Sequence, residues 1–198
     1  AAGLDAVLLA PTRDLVSRLN ARARVDRRST TPIEDDLEVD LADGNRASAG
    51  DVIVTRRNSR RLVISRSNWV KNGDRWRVEQ VLAGGSLVAR HVELGRSVEL
   101  PADYVAEHVQ LGYATTVHGA QGMTADTAHL VATGEETRQT LYVGVSRGRQ
   151  ANHIYLATGF DGDPHSLIDP RALRPPTAID VLAEILERDG SDRSATTT

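Results

Sequence analysis

Residues 113–130, YATTVHGAQGMTADTAHL, concentrate groups that can bind a phosphate or a sugar. These groups are two glycines, which let a backbone approach a ligand closely, and three hydrogen-bonding side chains: Gly119 and Gly122, with Thr116, His118 and Gln121. An α-helix beginning here would also direct its first N–H groups at an anion. The competing interpretation is a tight turn with a structural histidine, because no acid, serine or cysteine is arranged to pair with His118 for nucleophilic catalysis.

A second stretch, residues 141–149 (LYVGVSRGR), places Arg147 and Arg149 near the end of a predicted helix. Basic side chains at that position interact favourably with the helix dipole, which is the structural interpretation. The functional interpretation is an arginine finger, a guanidinium held in place to meet a phosphate during its transfer. Neither stretch decides between these interpretations by itself.

Charged residues are unevenly distributed along this chain, whose formal net charge is −3. Residues 46–96 contain eleven Lys and Arg against four acidic residues, whereas residues 97–198 contain seven basic and fourteen acidic residues. A basic middle of this kind indicates a surface that faces a polyanion.

The basic middle also contains residues suited to single-stranded nucleic acid. Bases can stack on Trp69, and the guanidinium groups of Arg56 and Arg57 can meet phosphates. For Trp69, packing in a core is an equally open interpretation, and Trp76 favours the core. The run RRNSRR, residues 56–61, also fits a solvated hairpin loop.

The apolar pattern predicts an α/β fold that a small all-β barrel interrupts. Residues 1–45 begin with a buried strand, DAVLLAP, and continue with a helix, which Thr12 or Asp14 can cap, and an acidic loop. Residues 46–108 contain five short β-rich runs separated by turns: DVIVT, RLVIS, WRVEQVL, SLVARHV and SVELP.

The α/β pattern returns in residues 109–160. VQLGYATTV predicts a strand, GAQGMTADTAHLV a turn and then a helix or a strand, EETRQTLYVGVSRGRQ a helix, and NHIYLATG a strand. Residues 161–198 predict one amphipathic helix, with Thr177 or Asp180 near its start, and then a disordered polar tail.

Taken together and in this order, these stretches resemble the C-terminal motor domain of superfamily 1 helicases. YATTVHGAQGMT is similar to motif V, LYVGVSRGR to motif VI, and AVLLAPTRDLVSRLN to the segment around motif IV, which opens the second RecA-like domain. In the RecD-like branch, which includes the helicase half of conjugative relaxases of the TraI, TrwC and TraA type, an SH3-like barrel is inserted before motif V. Residues 46–108 fall at that place, and GDVIVTRRN and WVKNGDRWRVEQV resemble the insert.

The resemblance implies roles for individual residues. Arg147 would be the motif VI finger that reaches the γ-phosphate of ATP on the preceding domain, and Arg13 a second phosphate sensor from motif IV. Motif V departs from the family pattern at Met123-Thr124, where many relatives carry a small residue and then Glu. A sugar contact made by that Glu is therefore not expected here.

The other implied roles divide between nucleotide and DNA. Residues implied at the nucleotide are Gly119, Gln121 and Gly122. Residues implied on single-stranded DNA are Thr116 and His118 from motif V. The barrel residues Trp69, Arg56 and Arg57 are candidate DNA contacts on the strength of their residue types.

The chain contains no G-x-x-x-x-G-K-[ST] segment, the loop that cradles the phosphates of ATP. We therefore expect a fragment of a longer protein, inactive by itself, that meets ATP and Mg²⁺ only together with its missing N-terminal RecA-like domain. We expect no cofactor or metal on the fragment. Because it has no cysteine and no apolar run of roughly 18 residues, we expect a cytoplasmic protein without disulfides or a membrane partner.

The predicted function is the C-terminal part of an ATP-dependent DNA helicase that moves along single-stranded DNA in conjugative transfer. Two alternatives stay open. One is a helicase subunit of a RecD-type repair exonuclease, and the other is a degenerate, non-catalytic module that binds DNA or protein. The sequence upstream of this chain would separate these possibilities.

Overall fold

The computed structural model describes residues 5–30, 37–156, 158 and 176–190. In chain order, the first elements are β1 (Ala6–Ala10), α1 (Arg13–Thr30), β2 (Val39–Asp40), β3 (Arg46–Ala47), β4 (Val52–Thr55), β5 (Ser59–Ser65), β6 (Asn68–Val70) and β7 (Arg75–Val81). The chain continues with β8 (Leu87–His91), β9 (Ser97–Leu100), α2 (Ala102–His108), β10 (Val109–Leu111), β11 (Ala114–Thr116), a 3-10 helix (His118–Ala120), β12 (Ala125–Ala132), α3 (Arg138–Gly144), β13 (Gly148–Leu156) and α4 (Ala178–Glu187).

These elements form two compact units. The first, here called the α/β unit, combines Ala1–Arg13 with Thr115–Thr198. The second, the β unit, is the intervening Asp14–Ala114. A mainly β segment thus interrupts the α/β fold between Arg13 and Thr115.

The α/β unit is built on a four-stranded sheet with the strand order β11-β1-β12-β13. β12 pairs in parallel with β1 on one side and with β13 on the other. Its residues Ala128 and Leu130 are buried and pack with Leu141 of α3 and Ile185 of α4 in the core of this unit. Pairing along both edges therefore makes residues 125–132, which the sequence left open between helix and strand, a strand.

The helix that carries motif VI is shorter than the sequence predicts. It follows Thr137, whose side chain accepts a hydrogen bond from the backbone N–H of Thr140, and it ends at Gly144. A Cβ on Gly144 would lie 2.8 Å from Leu130 Cδ2, so a larger residue would displace the core. Arg147 consequently lies in the short connection between α3 and β13.

Helix α4 is capped by both residues that the sequence places near its start. The Thr177 hydroxyl oxygen accepts a hydrogen bond from Asp180 N (3.2 Å), and the Asp180 carboxylate accepts one from Thr177 N (2.9 Å). This reciprocal arrangement is a capping box. The polar tail predicted beyond this helix, residues 191–198, lies outside the described residues.

The β unit contains a five-stranded sheet with the order β10-β4-β7-β8-β9 and two hairpins, β2-β3 and β5-β6. All pairings in the larger sheet are antiparallel, and each of the five β-rich runs forms a strand. Trp76 is completely buried and packs with Ile53, Leu87 and Leu100, which confirms its predicted place in the core. The sequence missed the short strands β2, β3 and β6 and the helix α2.

One predicted strand, residues 109–117, divides between the two sheets. Its first part is β10, which pairs with β4, and its second part is β11, which joins the sheet of the α/β unit. The break includes Gly112, where a Cβ would lie 2.7 Å from the carbonyl carbon of Ile53. The larger sheet of the β unit therefore extends past residue 108 to Leu111.

Asp51 is a completely buried carboxylate that accepts five hydrogen bonds. The donors are Arg24 Nε (3.1 Å), Arg27 Nε (2.8 Å), the backbone N–H and hydroxyl of Ser48 (2.8 and 3.1 Å) and the hydroxyl of Tyr113 (2.7 Å). Burial and the hydrogen bond to Asp51 raise the pKa of Tyr113, so its phenol stays protonated and donates. These partners offset the large cost of removing a carboxylate from water.

Asn20 connects the first helix of the β unit to the last residue of that unit. Its side chain is buried, Oδ1 accepts a hydrogen bond from Ala114 N (2.8 Å), and Nδ2 donates to Ala114 O (3.3 Å). The point where the chain enters the β unit and the point where it leaves are therefore held side by side.

We expect Asp51→Asn to lower the free energy of unfolding by about 3 kcal/mol, because it removes the negative charge between two partly buried guanidinium groups while preserving the shape. Urea denaturation followed by tryptophan fluorescence measures the change. The matched control is Asp40→Asn, since Asp40 also pairs with an arginine, Arg46, but is 83% exposed. A control effect beyond about 0.5 kcal/mol, or an equal effect of both variants, would contradict the role given to Asp51.

Candidate functional site

The turn that follows β11, residues 117–123, is here called the motif V turn. Its 3-10 helix is closed by hydrogen bonds from Ala120 N to Val117 O (3.3 Å) and from Met123 N to Ala120 O (3.0 Å). Strand β12 starts at Ala125, so the α-helix considered for this place does not form. The row of free N–H groups that such a helix would offer an anion is missing from the described turn.

Polar groups of the motif V turn project into solvent while its apolar residues anchor it. His118 and Gln121 are exposed, whereas Val117 and Ala120 are buried in the core of the α/β unit. Thr116 Oγ1 accepts a hydrogen bond from Gly119 N (3.0 Å), so this predicted DNA contact also stabilises the turn. In the described ranges no hydrogen bond joins the His118 ring to a carboxylate, which favours a contact residue over a catalytic base.

Motif V and motif VI meet around a small cavity of about 150 Å³. Its lining is Val117, His118 and Gln121 from the turn, and Gln139, Thr140 and Val143 from α3. Sites that enclose a whole small molecule have volumes of roughly 300–1,000 Å³. This space can receive one small polar group, and it is too small to enclose a nucleotide.

Arg147 joins the same two segments through its guanidinium group. Nε donates to Val143 O (2.9 Å) at the end of α3, and Nη2 donates to Ser146 Oγ (2.8 Å). Nη1 makes longer contacts with the carbonyl oxygens of Ala120 (3.4 Å) and Met123 (3.5 Å) in the motif V turn. The sequence identified Arg147 but gave no indication of these partners, because they lie 24 to 27 positions away.

Two other arginines of the α/β unit lie apart from this junction. Arg13 is exposed at the first position of α1 and does not line the cavity. Arg149 is exposed on β13 and lies 3.6 Å from a carboxylate oxygen of Asp126. The structure thus brings His118 and Gln121 together at the cavity and places Arg147 against the backbone of the motif V turn, whereas Arg13 does not line the cavity.

The β unit carries the second group of predicted contact residues. Trp69 is half-buried, with Arg60 Cζ 5.2 Å and Lys71 Nζ 5.6 Å from its ring centre. These are cation–π distances, so the ring already attracts positive charge. The sequence missed both cations as partners of Trp69, although Lys71 follows it by only two positions.

Arg56 and Arg57 are exposed, and each is held at one end by a neighbouring side chain. Arg56 Nε donates to Gln110 Oε1 (2.8 Å), and Arg57 Nη1 donates to His108 Nε2 (2.9 Å). Their positions are therefore fixed before any ligand arrives, which lowers the entropy lost on binding a phosphate.

A cleft of about 690 Å³ separates the start of β5 from α2. Its lining is Arg57, Asn58, Ser59, Arg60, Arg61 and Leu62 on one side, and Pro101, Asp103, Tyr104, Glu107 and His108 on the other. The acidic residues come from the helix that the sequence did not predict. The cleft is therefore mixed in charge, and the basic side chains lie on its β5 side.

Two negative findings concern only the described parts of the chain. No group of three or more His, Asp or Glu in them is arranged to hold a metal ion. No helix in them has the length and apolar character needed to cross a membrane.

Two domain families match consecutive parts of the chain. The Rv2311 SH3-like barrel domain matches residues 39–110, and the UvrD-like helicase C-terminal domain matches residues 111–155. The boundary between the matches falls at β10, beside the break at Gly112.

Two proteins of known sequence are similar over longer stretches. Rv2311 of Mycobacterium tuberculosis is 37% identical over 121 residues, which cover 60% of this chain and 67% of Rv2311. The probable conjugal transfer protein TraA of Sinorhizobium fredii is 32% identical over 152 residues, which cover 75% of this chain and 13% of TraA. This chain thus spans two thirds of the first relative and a small part of the second.

Solved structures of the Pif1 helicase from Bacteroides share the fold. The complex with ADP-AlF3 and single-stranded DNA has a TM-score of 0.54 at 17% identity, and the alignment covers 87% of this chain and 44% of Pif1. A second complex with single-stranded DNA has a TM-score of 0.53 at 15% identity, covering 75% and 40%.

The fold and the matched regions define a superfamily 1 helicase C-terminal domain, RecA-like and without a P-loop in this chain, that carries an SH3-like barrel. Within that class, the identity to Rv2311 over two thirds of its length shows that the chain belongs to the Rv2311 family.

We expect alanine substitutions at the two glycines of the motif V turn to lower the free energy of unfolding by different amounts. In Gly119→Ala the Cβ would lie 2.8 Å from Thr115 Oγ1 and 3.0 Å from Thr116 Oγ1. We therefore expect the free energy of unfolding to fall by about 2–3 kcal/mol. Gly122 has open space but a φ of +80°, so Gly122→Ala should lose only about 1 kcal/mol, and Gly122→Asn less. Urea denaturation gives all three values, and equal losses at both glycines would contradict this assignment.

Proposed function

We propose that the chain is the C-terminal motor domain of a superfamily 1 DNA helicase and takes part in ATP-driven movement along single-stranded DNA. The observation that supports this most is the junction at Arg147, where a motif VI guanidinium contacts the motif V turn. Both segments lie in the region similar to the UvrD-like helicase C-terminal domain.

In this proposal Arg147 acts as an arginine finger on an ATP molecule bound mainly by the preceding RecA-like domain. The described residues fit one side of such a site, because they supply a guanidinium that contacts the turn whose exposed side chains are His118 and Gln121. The chain has no phosphate-binding loop, so in this proposal a preceding RecA-like domain would supply the other side and hold Mg²⁺. The guanidinium stabilises negative charge that develops on the transferring phosphate.

Single-stranded DNA is the proposed track. Bacteroides Pif1, which shares this fold, has been solved in complex with single-stranded DNA. In this chain the half-buried Trp69, flanked by two cations, can stack on a base, and the fixed Arg56 and Arg57 can meet phosphates. Thr116 at the end of β11 and His118 in the motif V turn would contact the sugar-phosphate backbone of the DNA. In the same proposal Gly119, Gln121 and Gly122 face the nucleotide.

The similarity to a probable conjugal transfer protein supports conjugative DNA transfer as the process, with a RecD-type repair helicase as the alternative. A second candidate function, a stand-alone DNA-binding module without ATPase activity, is favoured by the size of Rv2311. Its 121 aligned residues are 67% of its length, which is about 180 residues and leaves no room for a second motor domain of ordinary size.

Arg147→Ala, made in the polypeptide that includes the preceding domain, should lower the kcat of DNA-stimulated ATP hydrolysis by about 10³-fold or more. DNA affinity should stay within about twofold. A coupled ATPase assay and fluorescence anisotropy measure the two quantities. Arg22→Ala, on an exposed side chain of α1, is the control and should keep full turnover. Undiminished ATPase in Arg147→Ala would overturn the finger, and absent ATPase in the unmodified polypeptide would favour the stand-alone module.

Binding of an oligo-dT strand to the chain should weaken steeply as salt rises, with a log–log slope of about −0.7 for each phosphate contact. Arg57→Ala should make this slope less steep by about 0.7, the contribution of one phosphate contact. Trp69→Ala should weaken binding roughly tenfold at every salt concentration, because it removes a stacking partner, whereas Trp69→Phe keeps most of the affinity. Unchanged affinity in Trp69→Ala would show that this ring only packs against its own cations.

A further inference from the structure

Each guanidinium nitrogen of Arg147 has a partner within the α/β unit, but the partners are unequal. Nε and Nη2 make short hydrogen bonds, to Val143 O at 2.9 Å and to Ser146 Oγ at 2.8 Å. The Nη1 contacts with Ala120 O and Met123 O are 3.4 and 3.5 Å long. One edge of the guanidinium is therefore firmly held on the motif VI side, and the other edge is held weakly on the motif V turn.

Ser146 fixes the strong edge. Its hydroxyl accepts from Arg147 Nη2 and donates to Val143 O (3.0 Å), the same carbonyl that Arg147 Nε contacts. The guanidinium is thus kept near one orientation by three linked hydrogen bonds. A small rotation about this edge changes the partner of Nη1 without disturbing the α3 end.

The weak edge contacts Ala120 and Met123, the two residues that flank the exposed pair Gln121 and Gly122. Gly122 and Gln121 are exposed, and Gly122 has a positive φ. Ala120 O already accepts a hydrogen bond from Met123 N, and Ala125 N donates to the backbone carbonyl of Arg147 (3.0 Å). The stretch from Ala120 to Ala125 is therefore tied to Arg147 by both its side chain and its backbone.

A phosphate oxygen is a stronger acceptor for Nη1 than either carbonyl oxygen. Hydrogen bonds between a guanidinium and an anion are typically about 2.7–2.9 Å long and roughly twice as strong as bonds between neutral groups. Nη1 cannot keep two contacts at 3.4 and 3.5 Å and also turn toward a phosphate outside the turn. Capture of a phosphate therefore competes directly with the hold on the turn.

We propose that Arg147 is a latch with two mutually exclusive partners, the carbonyl oxygens of the motif V turn and a phosphate oxygen. When Nη1 engages phosphate, it releases Ala120 O and Met123 O, and the turn that carries His118 and Gln121 loosens. Phosphate capture and release of the predicted DNA-contact segment are then one event. The identity of that phosphate as part of ATP rests on the proposed function, whereas the latch itself is a property of this chain.

The latch is tested in the 198-residue chain by amide hydrogen exchange. Arg147→Ala should speed exchange of the Met123 and Ala125 amides roughly tenfold, while Leu130 in the centre of β12 keeps its rate. Arg149→Ala is the matched control. Arg149 is also an arginine of motif VI, but its guanidinium lies 3.6 Å from the carboxylate of Asp126. Ser146→Ala, a milder change, should give a smaller increase at the same two amides.

Unchanged exchange at Met123 and Ala125 in both Arg147→Ala and Ser146→Ala would overturn the latch. Equal acceleration of Leu130 would do so as well, since it would mean general destabilisation. If Arg147→Ala does not fold, the exchange rates of Met123 and Ala125 are compared in Ser146→Ala and Arg147→Lys instead. We expect Arg147→Lys to speed exchange at both amides, because an ammonium cannot bridge both segments.

The exclusive choice of partner is tested with pyrophosphate as the probe. As pyrophosphate is added, the ¹⁵Nε signal of Arg147 should shift, and exchange at Met123 and Ala125 should rise in parallel. A shifted signal with unchanged exchange would overturn the proposal, and so would a signal that does not respond, because the carbonyls would then outcompete phosphate. No nucleotide turnover is measured, so failure of the latch is distinguishable from failure of the helicase assignment.

Discussion

The carboxylate of Asp51 imposes a constraint on which the β unit depends. A buried negative charge is tolerable only when cations and hydrogen-bond donors surround it, and here they come from α1, from the loop before β4 and from Tyr113. If any one of these segments moved away, the buried carboxylate would lose hydrogen bonds that offset its cost of burial. The larger sheet, whose strand β4 starts at the next residue, is consequently fixed to a helix that lies far from it in sequence.

Arg24, which donates to Asp51 through Nε, also donates to Glu38 through Nη2 and so extends the network. Burial raises the pKa of Glu38, but the hydrogen bond from Arg24 and the charges of Arg24, Arg28 and Arg46 outweigh it, and the net pKa lies below the ordinary value. Glu38 is therefore ionised at neutral pH, and its stabilising contribution is present above the ordinary glutamate pKa. That contribution is lost as the pH falls through the lowered value.

Much of the fold follows from local pattern, and the exceptions share a physical cause. Short β-rich runs separated by turn residues identified the five longer barrel strands, and Thr177 with Asp180 identified the start of α4. Residues 125–132 could not be assigned, because a run with three alanines suits either state until parallel neighbours on both sides decide it. Helix α2 was missed because seven residues carry too little periodicity.

The site was predictable as a set of residue types and not as a set of contacts. Arg147 was identified from the motif that contains it, yet its partners Ala120 and Met123 act through backbone oxygens, which no side-chain pattern reveals. Met123, where the motif departs from its relatives, packs against the core of the α/β unit, so this position contributes to folding. The charge of the cleft beside β5 was likewise hidden, because its acidic wall belongs to α2.

The pairing of Asn20 with Ala114 has a consequence for how such a chain can be assembled. Asn20 lies on the helix that enters the β unit, and its side chain is hydrogen-bonded to Ala114, the last residue of that unit. The two ends of the β unit are therefore adjacent. Segments with adjacent ends can be added to a host fold, or removed from it, with little disturbance to the host. The β unit therefore carries its own closure, and a hybrid that swaps residues 14–114 between relatives would carry both partners of this contact together.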